Sequence, residues 1–373
     1  MNLLDILNFS KKYLEEKNFK KARLESEKII AYVLNLDRIS LYANFDKNLK
    51  EEEKEKIKYF LKRMTSENKT FDELISTVEE SPKNYKNDNL ELLSKSIEYL
   101  KKYQVPDAKI DAEYIFSYVL NVNRLILTLN FAQKIEDQNI EKIKKLLILR
   151  GKYRKPLQYI IGEWEFYGYK FLLDERVLIP RADTEVLVEQ CKHIILDMEC
   201  PKVLDIGSGS GAIAIAIAKE IPTSLVIGVD ISAGAIEVSK HNKNLNKVDN
   251  VEFLQSDLFS NVKDKKFNII ISNPPYISKD EYSKLMPEVQ KYEPKIALTD
   301  DLEGLSFYEK ISKEACEYLL DESYLAFEIG YNQGDAVKKI MEKNKFDIIL
   351  IGKDYNGNDR VIIGKKQGEM NVD

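Results

Sequence analysis

Val203-Leu204-Asp205-Ile206-Gly207-Ser208-Gly209-Ser210-Gly211 is an apolar run that stops at three alternating glycines, and Ala212-Ile213-Ala214-Ile215-Ala216-Ile217-Ala218 follows it directly. The first four residues read as a buried strand and residues 212–220 as a helix. Leu225-Val226-Ile227-Gly228-Val229-Asp230 is then a second strand, ending in an acid. Strands alternating with helices predict a parallel sheet covered on both faces. Such sheets bind ligands beyond the carboxyl ends of their strands. The glycines permit a sharp turn and a close approach of a ligand to the main chain. Dinucleotide-binding folds use a similar loop, so the glycines alone say no more than nucleotide-like cofactor.

Two acids narrow the choice. Asp230 stands where a carboxylate can accept hydrogen bonds from both hydroxyls of a ribose. Asp205, just before the loop, suits the charged amino-acid end of S-adenosylmethionine. A third strand, Val251-Glu252-Phe253-Leu254, runs into Gln255-Ser256-Asp257-Leu258-Phe259. There Asp257 can accept from the exocyclic amine of an adenine, and Leu258 or Phe259 can pack on its ring; a core position is the equal alternative for Phe259.

The fourth strand, Phe267-Asn268-Ile269-Ile270-Ile271-Ser272, delivers Asn273-Pro274-Pro275-Tyr276 to the same edge of the sheet. Two successive prolines cannot extend a central strand, because they lack N–H donors and fix φ. They hold a stiff loop whose carbonyls stay free to accept. A planar amide or aromatic amine offers two N–H donors, which the Asn273 side-chain oxygen and the Pro274 carbonyl could both accept. Tyr276 is expected to cover the flat face of that group. The loop, the acids and this trap together predict transfer of a methyl group from S-adenosylmethionine to nitrogen, leaving S-adenosylhomocysteine. The acceptor stays open between a protein amide and a nucleobase amine.

Composition restricts the setting. Lys and Arg total 57 against 62 Asp and Glu, a formal net charge of -5 that argues against holding duplex DNA by its phosphates. Cys191, Cys200 and Cys316 form no Cys-x-x-Cys pair, and His193 and His241 are the two histidines, so no metal is expected. The opening residues lack a basic stretch followed by an apolar core, and the apolar run 212–218 is too short to span a bilayer. A cytoplasmic monomer with no membrane contact and no stable nucleic-acid partner is expected.

The front of the chain is duplicated. Residues 4–64 lie over 90–150 without a gap, with 21 of 61 positions identical. Tyr32-Val33-Leu34-Asn35 falls on Tyr118-Val119-Leu120-Asn121, Arg38 on Arg124, and Asn44-Phe45 on Asn130-Phe131. Apolar residues recur at helical spacing in each copy, so two small helical modules are expected. The boundaries read as a first module at 1–65, a linker at 66–88 that includes Pro82 and has room for one short helix, and a second module at 89–158. A β-hairpin link at 159–180, a methyltransferase domain at 181–366 and a tail at 367–373 complete the chain.

With these residues in place, the sequence resembles the release factor glutamine N5-methyltransferases from about residue 89 to 366. The likeness includes Pro156-Leu157-Gln158-Tyr159-Ile160-Ile161-Gly162, Glu165-Phe166-Tyr167-Gly168, and Val177-Leu178-Ile179-Pro180-Arg181 with Thr184-Glu185. It continues through the glycine loop, Asp230 and Asn273-Pro274-Pro275-Tyr276, and closes on Gly357-Asn358-Asp359-Arg360-Val361. The resemblance implies a helical N-terminal domain, a hairpin link and a Rossmann-like class I methyltransferase domain with a seven-stranded mixed sheet. It implies methylation of the glutamine in the Gly-Gly-Gln motif of bacterial peptide chain release factors. By motif position it assigns Gly207, Ser208, Gly209, Ser210, Gly211, Asp230, Leu258 and Asn273 to S-adenosylmethionine, and Asn273, Pro274, Pro275 and Tyr276 to the substrate glutamine. The chain departs from the family at Ala182, where a proline is usual, at Leu258, where some members have an aromatic, and in carrying an extra helical copy.

A ribosomal-protein glutamine is the alternative acceptor within the same chemistry. A DNA amino group is the rival outside it, disfavoured by charge and by the lack of a basic, aromatic-rich target domain. A helical adaptor with an inactive methyltransferase fold is the non-enzymatic alternative, against which the intact loop and trap both stand. Deleting residues 1–86 should leave a foldable enzyme, checked by its methyl-transfer rate and its affinity for release factor. A sharp drop in that affinity would make the extra copy a docking element, and no change would leave it a structural bundle.

Overall fold

Five apolar strands that run parallel, each followed by a helix or loop, can bury both faces only inside two helical layers. The computed structural model, which describes residues 2–34, 36, 38–45, 47–78 and 85–368, has this arrangement at its catalytic end. Strands β3 (Lys202–Ile206), β4 (Leu225–Asp230), β5 (Val251–Gln255), β6 (Phe267–Ser272) and β7 (Leu319–Glu328) pair in parallel. β8 (Phe346–Lys353) and β9 (Asp359–Lys366) complete a seven-stranded sheet in the order β5-β4-β3-β6-β7-β9-β8. β9 runs antiparallel between β7 and β8. The turn between β8 and β9 is held by Asp354, whose Oδ1 accepts from the amides of Asn356 and Asn358.

Helices α10 (Thr184–Ile195), α11 (Ala212–Glu220) and α12 (Ala233–Asn246) fill one face, where Leu187, Ile215, Val238 and Phe253 share a core. On the other face α15 (Ser306–Tyr318) and α16 (Gly334–Lys343) bury Tyr308, Ile311 and Val337 against Leu204, Ile270 and Phe327. Phe259 belongs to this second core, at 1% exposure, which decides its alternative in favour of packing. Chain order reverses at β3, with β4 on one side and β6 on the other, so a crevice opens between the carboxyl ends of β3 and β6.

The helical front end is built twice in one register. The first module comprises α1 (Leu3–Glu16), α2 (Ala22–Leu34), α3 (Arg38–Ala43), α4 (Glu51–Glu67) and α5 (Phe71–Val78). The second comprises α6 (Lys86–Lys102), α7 (Ala108–Leu120), a 3-10 helix (Arg124–Ala132), α8 (Asp137–Arg150) and α9 (Leu157–Ile161). Leu7, Leu14, Ile29, Ile30, Ile57, Leu61 and Phe71 are buried in the first core. Their counterparts Leu93, Leu100, Ile115, Phe116, Ile143, Leu147 and Leu157 are buried in the second. Within the stretch 66–88 the one short helix is α5, with Phe71 and Leu74 in the first core. Residues 79–84, Pro82 among them, and 369–373 of the tail lie outside the described residues, as does Asn35 of the repeat.

The copies differ at one buried charge. In the second, Arg150 donates to Asp111 at 2.5 Å and reaches Glu288 of α14 (Pro287–Tyr292) at 3.3 Å. Arg154 donates to the other oxygen of Glu288 at 2.6 Å. This cluster ties the second module and the loop after Asn273 into one body. Burial pushes the Asp111 carboxyl up. Against its own burial, the hydrogen bond from Arg154 and the charges of both arginines hold Glu288 below the usual range. At the Asp111 position the first copy has Glu25, which accepts from the Phe71 amide and from Lys28, and at the Arg150 position it has Met64. Hairpin strands β1 (Glu163–Phe166) and β2 (Tyr169–Leu172) follow α9.

Removing one partner from a buried ion cluster leaves charge without compensation. Arg150→Met should therefore lower unfolding free energy by about 3 kcal/mol, read from the denaturant midpoint. A loss below about 1 kcal/mol, the scale of an exposed pair, would remove Arg150 from the tie.

Candidate active site

At the carboxyl end of β3 the chain turns through Gly207 (φ 73), Gly209 (φ 56) and Gly211 (φ 82), all in the left-handed region. Gly211 opens α11, and a Cβ there would stand 2.8 Å from the Phe253 ring. Gly228 on β4 is as constrained, since a Cβ would meet Phe253 at 2.5 Å and the Ser208 hydroxyl at 2.7 Å. The small residues thus let loop, helix and strand close on one another. By contrast, a Cβ on Gly207 would meet nothing within 4 Å, so the space before it is open.

That space is a cavity of about 370 Å³. Gly207, Gly209, Asp230, Asp257, Leu258, Asn273, Pro274 and Pro275 line it together. Ser208, Ser210 and Gly211 do not. The Ser208 hydroxyl donates inward to Asp205 at 2.6 Å, and the Ser210 carbonyl accepts from Asn242. Asp205 itself is fully buried beneath the loop, which corrects its reading as a partner for a charged ligand. Burial pushes its carboxyl up to about 7, with the Ser208 hydrogen bond opposing and the Asp230 charge adding.

Asp230 ends β4 and accepts from the Gly209 amide through Oδ2 and from the Ser232 amide through Oδ1, each at 2.9 Å. Burial raises its pKa while those two amides oppose the rise. Each carboxylate oxygen keeps a further lone pair for a ligand donor. Leu258 takes a left-handed backbone (φ 46), which angles its side chain into the wall.

Asn273 leaves β6 with its Nδ2 donating to Thr184 Oγ1 at 3.3 Å, so Oδ1 is the end left to accept. Tyr276 is not a cavity residue. Its ring packs into the second core and its hydroxyl donates to Glu328 Oε1 at 3.3 Å, so the expected cover over the substrate is absent from this arrangement. Burial, and after it the Glu328 charge, raises the Tyr276 pKa. Behind the loop, Gln333 Nε2 donates to the Tyr276 carbonyl at 2.9 Å. Gly304 packs so close that a Cβ would lie 2.2 Å from the same carbonyl oxygen.

Several walls of the cavity were not expected. Val177 and Leu178 come from the segment before α10, and Ile296, Phe307 and Ile311 from the region after the Asn-Pro-Pro-Tyr loop. Phe307 and Ile311 sit four apart on α15, an ordinary amphipathic spacing with no local mark of ligand contact. Among the described residues no group of His, Cys, Asp and Glu is placed to hold a metal ion, and no helix is long and apolar enough to cross a membrane.

The Methyltransferase small domain family matches residues 182–289, and the PrmC N-terminal domain family matches residues 5–67 and 91–162. The second of these matches falls on both helical copies. The Release factor glutamine methyltransferase of Fusobacterium nucleatum subsp. nucleatum is 56% identical over 338 residues, covering 90% of this chain and 94% of that one. So long a match extends into the first helical copy. The enzymes of the same description from Thermodesulfovibrio yellowstonii and Geobacter sulfurreducens are 41% and 38% identical, covering 70% and 72% of this chain and 93% of each relative. At these identities and coverages, this chain belongs to the release factor glutamine methyltransferase family.

Proposed function

We propose that the chain transfers the methyl group of S-adenosylmethionine to the side-chain N5 of the glutamine in the Gly-Gly-Gln motif of peptide chain release factors. The carrying observation is that Asn273, Pro274 and Pro275 open onto the same cavity as Gly207, Gly209 and Asp230. The cavity fits the cofactor on its own chemistry: an open face before Gly207 and a carboxylate with free lone pairs at Asp230. Asp230 would hold the ribose, Asp257 and Leu258 the adenine, and Gly207 and Gly209 the amino-acid end. When bound, S-adenosylmethionine supplies an electrophilic methyl on a sulfonium centre.

The chain's own work is positioning. Asn273 Oδ1 and the Pro274 carbonyl accept the two N–H groups of the glutamine amide in their common plane. That grip orients the nitrogen face toward the methyl and enriches its electron density. No general base stands ready at this loop, and none is needed, because the proton can leave to water once nitrogen is positive. Pro274 and Pro275 offer no N–H of their own, so these two residues present acceptors only. Tyr276 braces the loop from the core rather than covering the amide.

Labelled S-adenosylmethionine offered with release factor, ribosomal protein or DNA should mark the release factor. Label in DNA and in neither protein would sink the proposal. Asn273→Ala should lower turnover about 100-fold, the scale of one lost transition-state hydrogen bond, with cofactor affinity little changed. Asp230→Ala should do the reverse, raising the cofactor Kd about tenfold or more through a lost charge-assisted bond. Equilibrium binding and single-turnover rates separate the two outcomes.

A further inference from the structure

Val177-Leu178-Ile179-Pro180-Arg181 carries part of the family likeness, yet the roles set out above leave most of it unused. Its first two residues are cavity wall, and so are Pro294, Ile296 and Ala297 after α14. Neither segment belongs to the sheet, and each is fixed at its far end. Arg176 lies against α12, donating to Glu237 at 2.8 Å, and a Cβ on Gly234 would stand 3.1 Å from its Cδ. The Leu298 carbonyl accepts from the Ile277 amide at 3.0 Å, one residue past the Asn-Pro-Pro-Tyr loop. The near ends of the two segments meet at Glu293. Its Oε1 accepts from Arg181 Nη2 at 2.6 Å and its Oε2 from the Ile179 amide at 3.4 Å.

The Glu293 side chain is 1% exposed against 39% for Arg181, so the carboxylate is the buried member of the pair. Local sequence puts it there. A residue before proline is driven to extended backbone, and Glu293, with φ -81 and ψ 144 before Pro294, ends α14 and turns the chain into the wall. The other end of that helix is anchored through Glu288 to Arg150 and Arg154. Glu293 therefore rests on a fixed element, and the segment 177–181 is what it holds. The Tyr159 hydroxyl gives that segment a second hold by donating to the Val177 carbonyl at 2.5 Å. Both links at Glu293 are donors to it. A carboxylate offers two acceptor oxygens, whereas a glutamine amide offers one acceptor and one donor, so glutamine keeps one link at most.

We propose that Glu293 is a positioning residue for S-adenosylmethionine, clasping the segments 177–181 and 294–297 into one cavity wall. The proposal rests on this cavity being the cofactor's. The glycine loop and Asn273 leave the sheet from β3 and β6, whose pairing does not pass through Glu293. Opening the clasp should therefore cost cofactor affinity and spare the transfer step.

The test uses the full-length enzyme. Calorimetry gives Kd for S-adenosylmethionine and S-adenosylhomocysteine, and kcat and the release-factor KM are measured at saturating cofactor. Glu293→Gln should raise both Kd values about tenfold, or about 1.4 kcal/mol. Its kcat should stay within about twofold of wild type, the pattern of lost uniform binding. Arg181→Met should weaken cofactor binding likewise, and Arg181→Lys, which keeps a charged donor, should recover most of the loss. The double variant Glu293→Gln with Arg181→Met should bind within about twofold of the weaker single, because both open one clasp. An unchanged Kd in Glu293→Gln or Arg181→Met, or fully additive losses, would overturn the assignment. So would a loss of kcat or a rise in release-factor KM that matches the loss of cofactor affinity, which marks a merely structural residue. Asp230→Ala is titrated in parallel. If it binds cofactor as tightly as wild type, the cavity reading itself is wrong; if it binds weakly while Glu293→Gln binds normally, only the clasp fails.

Discussion

Everything at the site depends on the parallel pairing of β6 against β3. That register sets Ile206 beside Ser272, so that the next residues on both strands, Gly207 and Asn273, leave the sheet at one level. A slip of one residue in β6 would send Asn273 to the opposite face, because side chains alternate along a strand. The pairing is protected by burial on both sides, since Ile269, Ile270 and Ile271 are fully inaccessible and contribute to two separate cores. The glycine loop and the Asn-Pro-Pro-Tyr loop are thus positioned by the same ladder of backbone hydrogen bonds, and neither needs a contact of its own with the other.

Much of this was legible from local pattern. The helix at 212–220 and the strands at 225–230 and 267–272 have the bounds their apolar runs indicate, because each run ends at a glycine, a proline or a charge. What escaped was set by distant residues. Nothing near Tyr276 says whether its ring covers a ligand or enters the core; that is decided by Glu328, a buried acceptor on another strand. Asp205 reads as ligand-facing because it precedes the glycines, and Ser208 by its motif position, yet the Ser208 hydroxyl turns inward to Asp205 beneath the loop. The insertion of β9 between β7 and β8 is likewise a matter of strand order, on which hydropathy is silent.

The duplicated modules show how one sequence pattern can persist while its use changes. Among the described residues ten core positions are kept at the same offset and buried in both copies, so the helical packing is the retained property. The buried acid is retained in kind, as Glu25 and Asp111, but its partner is not. In the second copy it steadies an arginine that reaches the catalytic domain, and in the first it receives the amide that opens α5. Met64 completes that change by putting an apolar side chain where the guanidinium stood.

The brace on the Tyr276 carbonyl has a consequence for cooperativity. Gln333 donates to that carbonyl and accepts from the Gly330 amide, while Gly304 lies against it too closely for any other residue. The Asn-Pro-Pro-Tyr loop is therefore stitched to the end of β7 and the start of α16 rather than hanging free from β6. Loops that melt early do so because few buried contacts hold them. This one has no low-energy route to opening by itself, and its fraying is linked to that of the sheet. On warming, the loop should keep its place until the whole domain unfolds, so its geometry shares the stability of the core.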